Sequence, residues 1–121
     1  ALRALDCGAD GVIISNHGAR QLDCAPAALE MLPAIRAAVA GQMAMMLDGG
    51  IRRGSDILKA WALGADFTFV GRPTLYGVAA DGLPGAQRAL QILQQEIDLT
   101  LAQLGCADLG MLTGELLREG W

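Results

Sequence analysis

Met43-Ala44-Met45-Met46-Leu47-Asp48-Gly49-Gly50-Ile51-Arg52-Arg53-Gly54-Ser55-Asp56 decides the fold. An apolar run without period-2 alternation stops at an acid, two glycines follow, and a helical pattern begins behind them. A strand apolar on both faces belongs to a parallel sheet covered by helices. The same arrangement stands on either side of it, in Val12-Ile13-Ile14-Ser15-Asn16 and in Phe67-Thr68-Phe69-Val70-Gly71. Successive units of this kind make an α/β chain of βα repeats.

Ala27 to Val39 and Ser55 to Leu63 read as crossover helices, the second with Gly54 or Ser55 at its N-cap and Gly64 at its stop. Gly8-Ala9-Asp10 and its echo Gly64-Ala65-Asp66 each join a helix end to a strand start. Past the third strand, Leu83, Ala86, Leu90, Leu93, Ile97, Leu101 and Leu104 line one face of a long amphipathic helix, and a short tail runs to Trp121. The strand ends at Asn16, Asp48 and Gly71 fall at the spacing of consecutive barrel units, but a closed (β/α)₈ barrel takes roughly 250 residues. Three strands cannot close one, and an open three-stranded sheet is possible, but residues 1–121 are expected to form one incomplete domain, the C-terminal portion of a longer enzyme's TIM barrel, with three βα units plus a long C-terminal helix. Ala1 to Cys7 looks like the last turns of a helix and lacks a starting methionine, which fits part of a longer enzyme.

Hydrophobic residues at 53% predict a real core, and 16 scattered glycines with only 4% aromatics suit tight α/β turns better than collagen or a β-sandwich. Thirteen acidic against nine basic residues leave a formal charge of −4, which argues against a nucleic-acid partner. No apolar run approaches the ~20 residues of a membrane span, and Ala1-Leu2-Arg3 does not open a signal segment. Cys7, Cys24 and Cys106 are too scattered for a zinc pattern or a disulfide framework, so reduced thiols in a cytoplasmic protein are expected.

In parallel α/β sheets, ligands sit at the carboxyl ends of the strands. Behind the first run stands Ser15-Asn16-His17-Gly18-Ala19-Arg20-Gln21, with the single histidine of the chain close to an arginine. An imidazole suits a general base and a guanidinium grips a carboxylate with two parallel hydrogen bonds, so the pair suggests a substrate bearing an acid group. The plainer readings are a surface histidine without a task and an Arg20 that only pairs with Asp23. Asp48-Gly49-Gly50-Ile51-Arg52-Arg53 and Gly71-Arg72-Pro73 are glycine turns carrying cations, the makings of a phosphate pocket after two successive strands. Taken singly, each could be a structural turn with a solvated arginine. Met43, Met45 and Met46 lie inside an apolar run and read as core rather than as soft-metal ligands. Asp48 lacks companions for a metal site and reads as a hydrogen-bond acceptor for a ligand. No metal is expected.

Ser15-Asn16-His17-Gly18-Ala19-Arg20-Gln21 resembles the active-site signature of the FMN-dependent 2-hydroxy acid dehydrogenases and oxidases. Asp48-Gly49-Gly50-Ile51-Arg52 with Gly71-Arg72 is similar to the family's phosphate turns, though other phosphate-binding barrels carry related ones. The stretches Arg72-Pro73-Thr74-Leu75-Tyr76-Gly77 and Ile97 to Cys106 look closest to the mandelate and lactate branches.

The resemblance implies oxidation of a 2-hydroxy acid of mandelate, lactate or glycolate type to the 2-oxo acid. It makes His17 the base and Arg20 a clamp on the substrate carboxylate, with Ser15 at the flavin. Asp48, Gly49, Gly50, Ile51, Arg52, Gly71 and Arg72 would hold the ribityl and phosphate portion of FMN, while Arg53 faces elsewhere. It also implies a homo-oligomer, a tetramer, in the cytoplasm, with peripheral attachment to the inner membrane left open for the full-length protein. The alternatives are another phosphate-binding barrel, of the nucleotide dehydrogenase or FMN-dependent isomerase type, or a noncatalytic anion-binding α/β module. Arg20 beside His17 favours the hydroxy acid reading, and no cysteine follows a strand end as a nucleotide dehydrogenase would need.

The family's other flavin contacts, its second carboxylate-binding arginine and the aspartate that orients the histidine belong to earlier strands. The isolated 121 residues are accordingly expected neither to hold FMN tightly nor to turn over. A yellow, active preparation of this segment alone would contradict that.

Overall fold

β-Branched side chains favour extended backbone, and Val12-Ile13-Ile14 lies in strand β1, Gly11–Ile14. The computed structural model describes residues 1–117; the last residues of the expected tail, 118–121, lie outside the described residues. Helix α1 (Leu2–Asp6) precedes β1, and α2 (Ala28–Val39), β2 (Ala44–Asp48), α3 (Gly54–Ala62), β3 (Phe67–Phe69) and α4 (Arg72–Leu104) follow it. Short 3₁₀ turns stand at His17–Ala19, Leu109–Met111 and Gly114–Leu116.

The three strands are parallel in the order β1-β2-β3. Register sets Val12 beside Met45 and Ile14 beside Leu47, then Leu47 beside Thr68 and Asp48 beside Phe69. Met45 and Leu47 therefore share one face of the sheet. Both are fully buried, in a core with Leu32 and Val39 of α2, Ala60 of α3, and Ile51. Met43, just before β2, is buried in the same core, so its thioether and that of Met45 pack rather than bind. The opposite face carries Ile13 and Phe67, 53% and 57% exposed. Helices thus cover one face of this sheet and leave the other open. A barrel wall requires the same division, because its inner face is filled by side chains of the other strands.

Two distant carboxylates lock the layers together. Asp66, at the turn into β3, accepts both guanidinium nitrogens of Arg36 from α2 (2.9 and 3.3 Å) and the backbone N–H of Met45 (2.8 Å). Glu96 of α4 accepts the Gly54 N–H at 2.7 Å and the Arg53 guanidinium at 3.1 Å.

Several boundaries differ from those read in the sequence. The N-cap of α3 is Arg53, not Gly54 or Ser55, because Asp56 in the first turn accepts the N–H groups of both Arg52 and Arg53 at 3.0 Å. Gly71-Arg72-Pro73 is no isolated turn but the start of α4, where proline costs nothing because the first N–H groups lack helical partners. Helix α4 breaks at Asp81 and Gly82, whose φ values of −156° and 56° leave helical space. Of its apolar stripe, Leu93 is buried and Ala86, Ile97 and Leu101 half-buried, but Leu83, Leu90 and Leu104 are exposed. The helix packs chiefly on α3, so only the middle of the stripe finds a partner.

Gly54 sits at that crossing. A Cβ there would stand 2.5 Å from Ile97 N and 2.6 Å from Leu93 O, backbone atoms that cannot swing aside. Gly54→Ala should lower the stability of the whole protein by about 1–3 kcal/mol or more, read as a shifted denaturant midpoint. An unchanged midpoint would show that α3 and α4 do not meet this closely.

Candidate active site

Ser15, the first residue past β1, Asp48, the last of β2, and Val70-Gly71, just past β3, stand in a row at the carboxyl edge of the sheet. Behind β1 the chain makes an unusual turn. His17, Gly18 and Ala19 all have positive φ, 55°, 65° and 62°. Left-handed backbone costs an L-residue about 1–2 kcal/mol, so His17 and Ala19 hold stored strain. The turn is held by named bonds. Asn16 Oδ1 accepts the Gly18 N–H at 3.0 Å, Asn16 Nδ2 donates to Pro26 O at 3.2 Å, and Ser15 Oγ accepts the His17 N–H at 3.0 Å.

Behind β2, Gly49 and Gly50 have φ of 104° and 81°, a pair of conformations that glycine alone takes without penalty. Ile51 is 6% exposed and anchors the far end of this turn in the core. Behind β3, Gly71 caps α4, whose first N–H groups are free to face an anion. The Arg72 side chain reaches across to the β1 turn, its Nη2 lying 3.8 Å from where a Cβ on Gly18 would be.

These turns border an open cavity of about 680 Å³ lined by His17, Arg20, Asp48, Gly49, Gly50, Ile51, Arg52, Gly71 and Arg72. Ser15 does not line it; its hydroxyl is bonded to Asp48 Oδ2 at 2.6 Å. Phe69 and Leu75, which the sequence reading did not include, join Pro73 in an apolar wall. Phe69 had a signal, its place near the end of the third apolar run, but its facing depends on the register that sets it beside Asp48. Glu96 had none, since it lies far along the chain from the turn it caps.

Among the described residues, ion pairs form only between Arg36 and Asp66 and between Arg53 and Glu96. Arg53 is thereby turned towards α4. Among the described residues Arg20 does not pair with Asp23, and Arg20, Arg52 and Arg72 line the cavity with Asp48 as its one carboxylate. Free guanidinium groups, a helix N-terminus and a glycine turn without Cβ atoms are the donor set that a phosphate monoester requires. The apolar wall suits the body of a larger ligand. The residues present therefore fit FMN.

Comparison with known proteins agrees with this geometry. The family profile described as FMN-dependent dehydrogenase matches residues 1–119. The chain belongs to that family.

It is 48% identical over 118 residues to glycolate oxidase 3 of Arabidopsis thaliana, covering 98% of this chain and 32% of that protein. It is 49% identical over 117 residues to an L-lactate oxidase of Roseobacter sp. (strain GAI101), covering 97% of this chain and 32% of that protein. Among solved structures, the monotopic membrane protein (S)-mandelate dehydrogenase superposes with a TM-score of 0.92 at 48% identity, over 98% of this chain and 31% of that one. The chain thus spans about a third of the length of the curated relatives it matches. Its fold is α/β, a three-stranded parallel sheet with helices that matches part of a TIM barrel. Among the described residues, no helix is long and apolar enough to cross a membrane.

The strained turn can be tested directly. Ala19→Val should lower stability by about 1–2 kcal/mol, because a β-branched residue tolerates positive φ least. Ala19→Gly should leave the unfolding midpoint unchanged or raise it. Equal midpoints for valine and alanine would place residue 19 outside the left-handed region.

Proposed function

We propose that this chain forms one incomplete barrel domain, the C-terminal part of an FMN-dependent enzyme that oxidises a 2-hydroxy acid to the 2-oxo acid. The reading is carried by one observation: His17, Arg20, Arg52 and Arg72 meet the Asp48-Gly49-Gly50 turn around a single cavity. Family membership and the names of the relatives, which act on glycolate, lactate and mandelate, support the substrate class.

In this reading Arg52, Arg72, Gly71 and the N-terminus of α4 hold the FMN phosphate. Asp48, Gly49, Gly50 and Ile51 border its ribityl chain, and Ser15 stands behind Asp48. Bound FMN supplies the redox chemistry, accepting two electrons and a hydrogen from the substrate. Arg20 fixes the substrate carboxylate, which selects an acid and sets its 2-carbon against His17. The His17 imidazole takes a proton from the substrate, and its position in a held turn keeps the base within reach.

Three free cysteines support a reducing compartment, the cytoplasm. The homotetramer rests on the family resemblance, and light scattering of the whole protein checks it.

His17→Gln in the full-length protein should retain FMN and its visible absorbance while turnover of a 2-hydroxy acid falls by about 100-fold or more. Arg20→Lys should instead raise KM for the acid about 10-fold or more, because a single ammonium cannot grip a carboxylate with a fork. Rapid turnover by the His17 variant would refute its role as the base.

A further inference from the structure

The turn bearing His17 and the turn proposed to border FMN come from different strands, and one side chain joins them. Ser15 Oγ donates to Asp48 Oδ2 at 2.6 Å and accepts the His17 N–H at 3.0 Å. The direction is fixed chemically. An ionised carboxylate only accepts, so the one hydroxyl proton goes to Asp48 and the lone pairs are left for the His17 amide. A length of 2.6 Å is that of a charge-assisted bond, the stronger kind. Sheet register makes the contact available, since Ile14 pairs with Leu47 and the next residues along the chain are Ser15, just past β1, and Asp48, the last of β2.

We propose that Ser15 is a positioning residue, its hydroxyl coupling the base-bearing turn to the cofactor-bordering turn so that His17 and Asp48 keep one relative placement. This rests on the reading of His17 as the base. The His17 amide belongs to a residue at φ 55°, a conformation it holds only under constraint. Its described hydrogen-bond acceptor is Ser15 Oγ. Removal of the hydroxyl leaves that N–H unbonded and lets the backbone relax, which carries the imidazole away from its reacting position. Arg20, farther along the turn, is tied to no part of this link, so substrate capture is affected less than reaction.

The split between the two parameters distinguishes positioning from general damage. In the FMN-loaded full-length enzyme, Ser15→Ala should lower kcat about 10- to 100-fold, while KM for the acid and FMN occupancy change less than about threefold. Ser15→Thr retains the hydroxyl and should return kcat to within about fivefold of the wild type. Independently of activity, deuterium uptake by the peptide spanning residues 12–20 should quicken about 10-fold in Ser15→Ala and recover in Ser15→Thr. A Ser15→Ala enzyme with wild-type kcat, a threonine variant no better than alanine, or unchanged deuterium uptake would each overturn the proposal. A wild-type protein that oxidises no 2-hydroxy acid would sink the functional reading instead, and the uptake measurement would still decide the role of Ser15 in holding the turn.

Discussion

Strand β2 is hydrogen-bonded along both edges, and the site depends on that register. Pairing of Ile14 with Leu47 and of Asp48 with Phe69 brings three chain reversals to one edge of the sheet. A slip of one residue would turn Met45 and Leu47, both fully buried, to the open face and carry Asp48 away from Ser15. The apolar core that fixes the register therefore also fixes where the imidazole, the carboxylate and the guanidinium groups meet.

Around this sheet, the polar clamps act at the places where elements of different strands must agree. Asp66 joins α2 to the start of β2, and Glu96 joins α4 to the start of α3. The second clamp has a chemical consequence. By pairing with Arg53 it takes one of two neighbouring arginines away from the cavity and leaves Arg52 on its wall. The strain in the His17 turn is then set against several bonds from Ser15 and Asn16, an arrangement expected where a reactive group must be held in a single pose.

Local patterns made much of this legible. The unbroken apolar runs place β1, β2 and β3, and the glycine–arginine turns behind them point to an anion site because backbone N–H groups and guanidinium forks need no distant partner to be recognised. Pattern reading failed where the deciding partner was remote. Arg53 caps α3 because Asp56 and Glu96 satisfy the first N–H groups between them, and Glu96 is supplied by another helix. The start of α4 was hidden by Gly71, Pro73, Gly77 and Gly82, residues of low helix propensity that a first turn or a break tolerates.

The sequence by itself determined the class of fold, the order of the elements and the kinds of chemical group at each strand end, because these follow from residue type and short-range spacing. Only the tertiary structure decided which face of the sheet is covered, which arginine reaches the cavity, and that the Ser15 hydroxyl turns to Asp48. Those outcomes depend on contacts between residues far apart in the chain, and a hydrogen bond acts over distances that only the folded register can set.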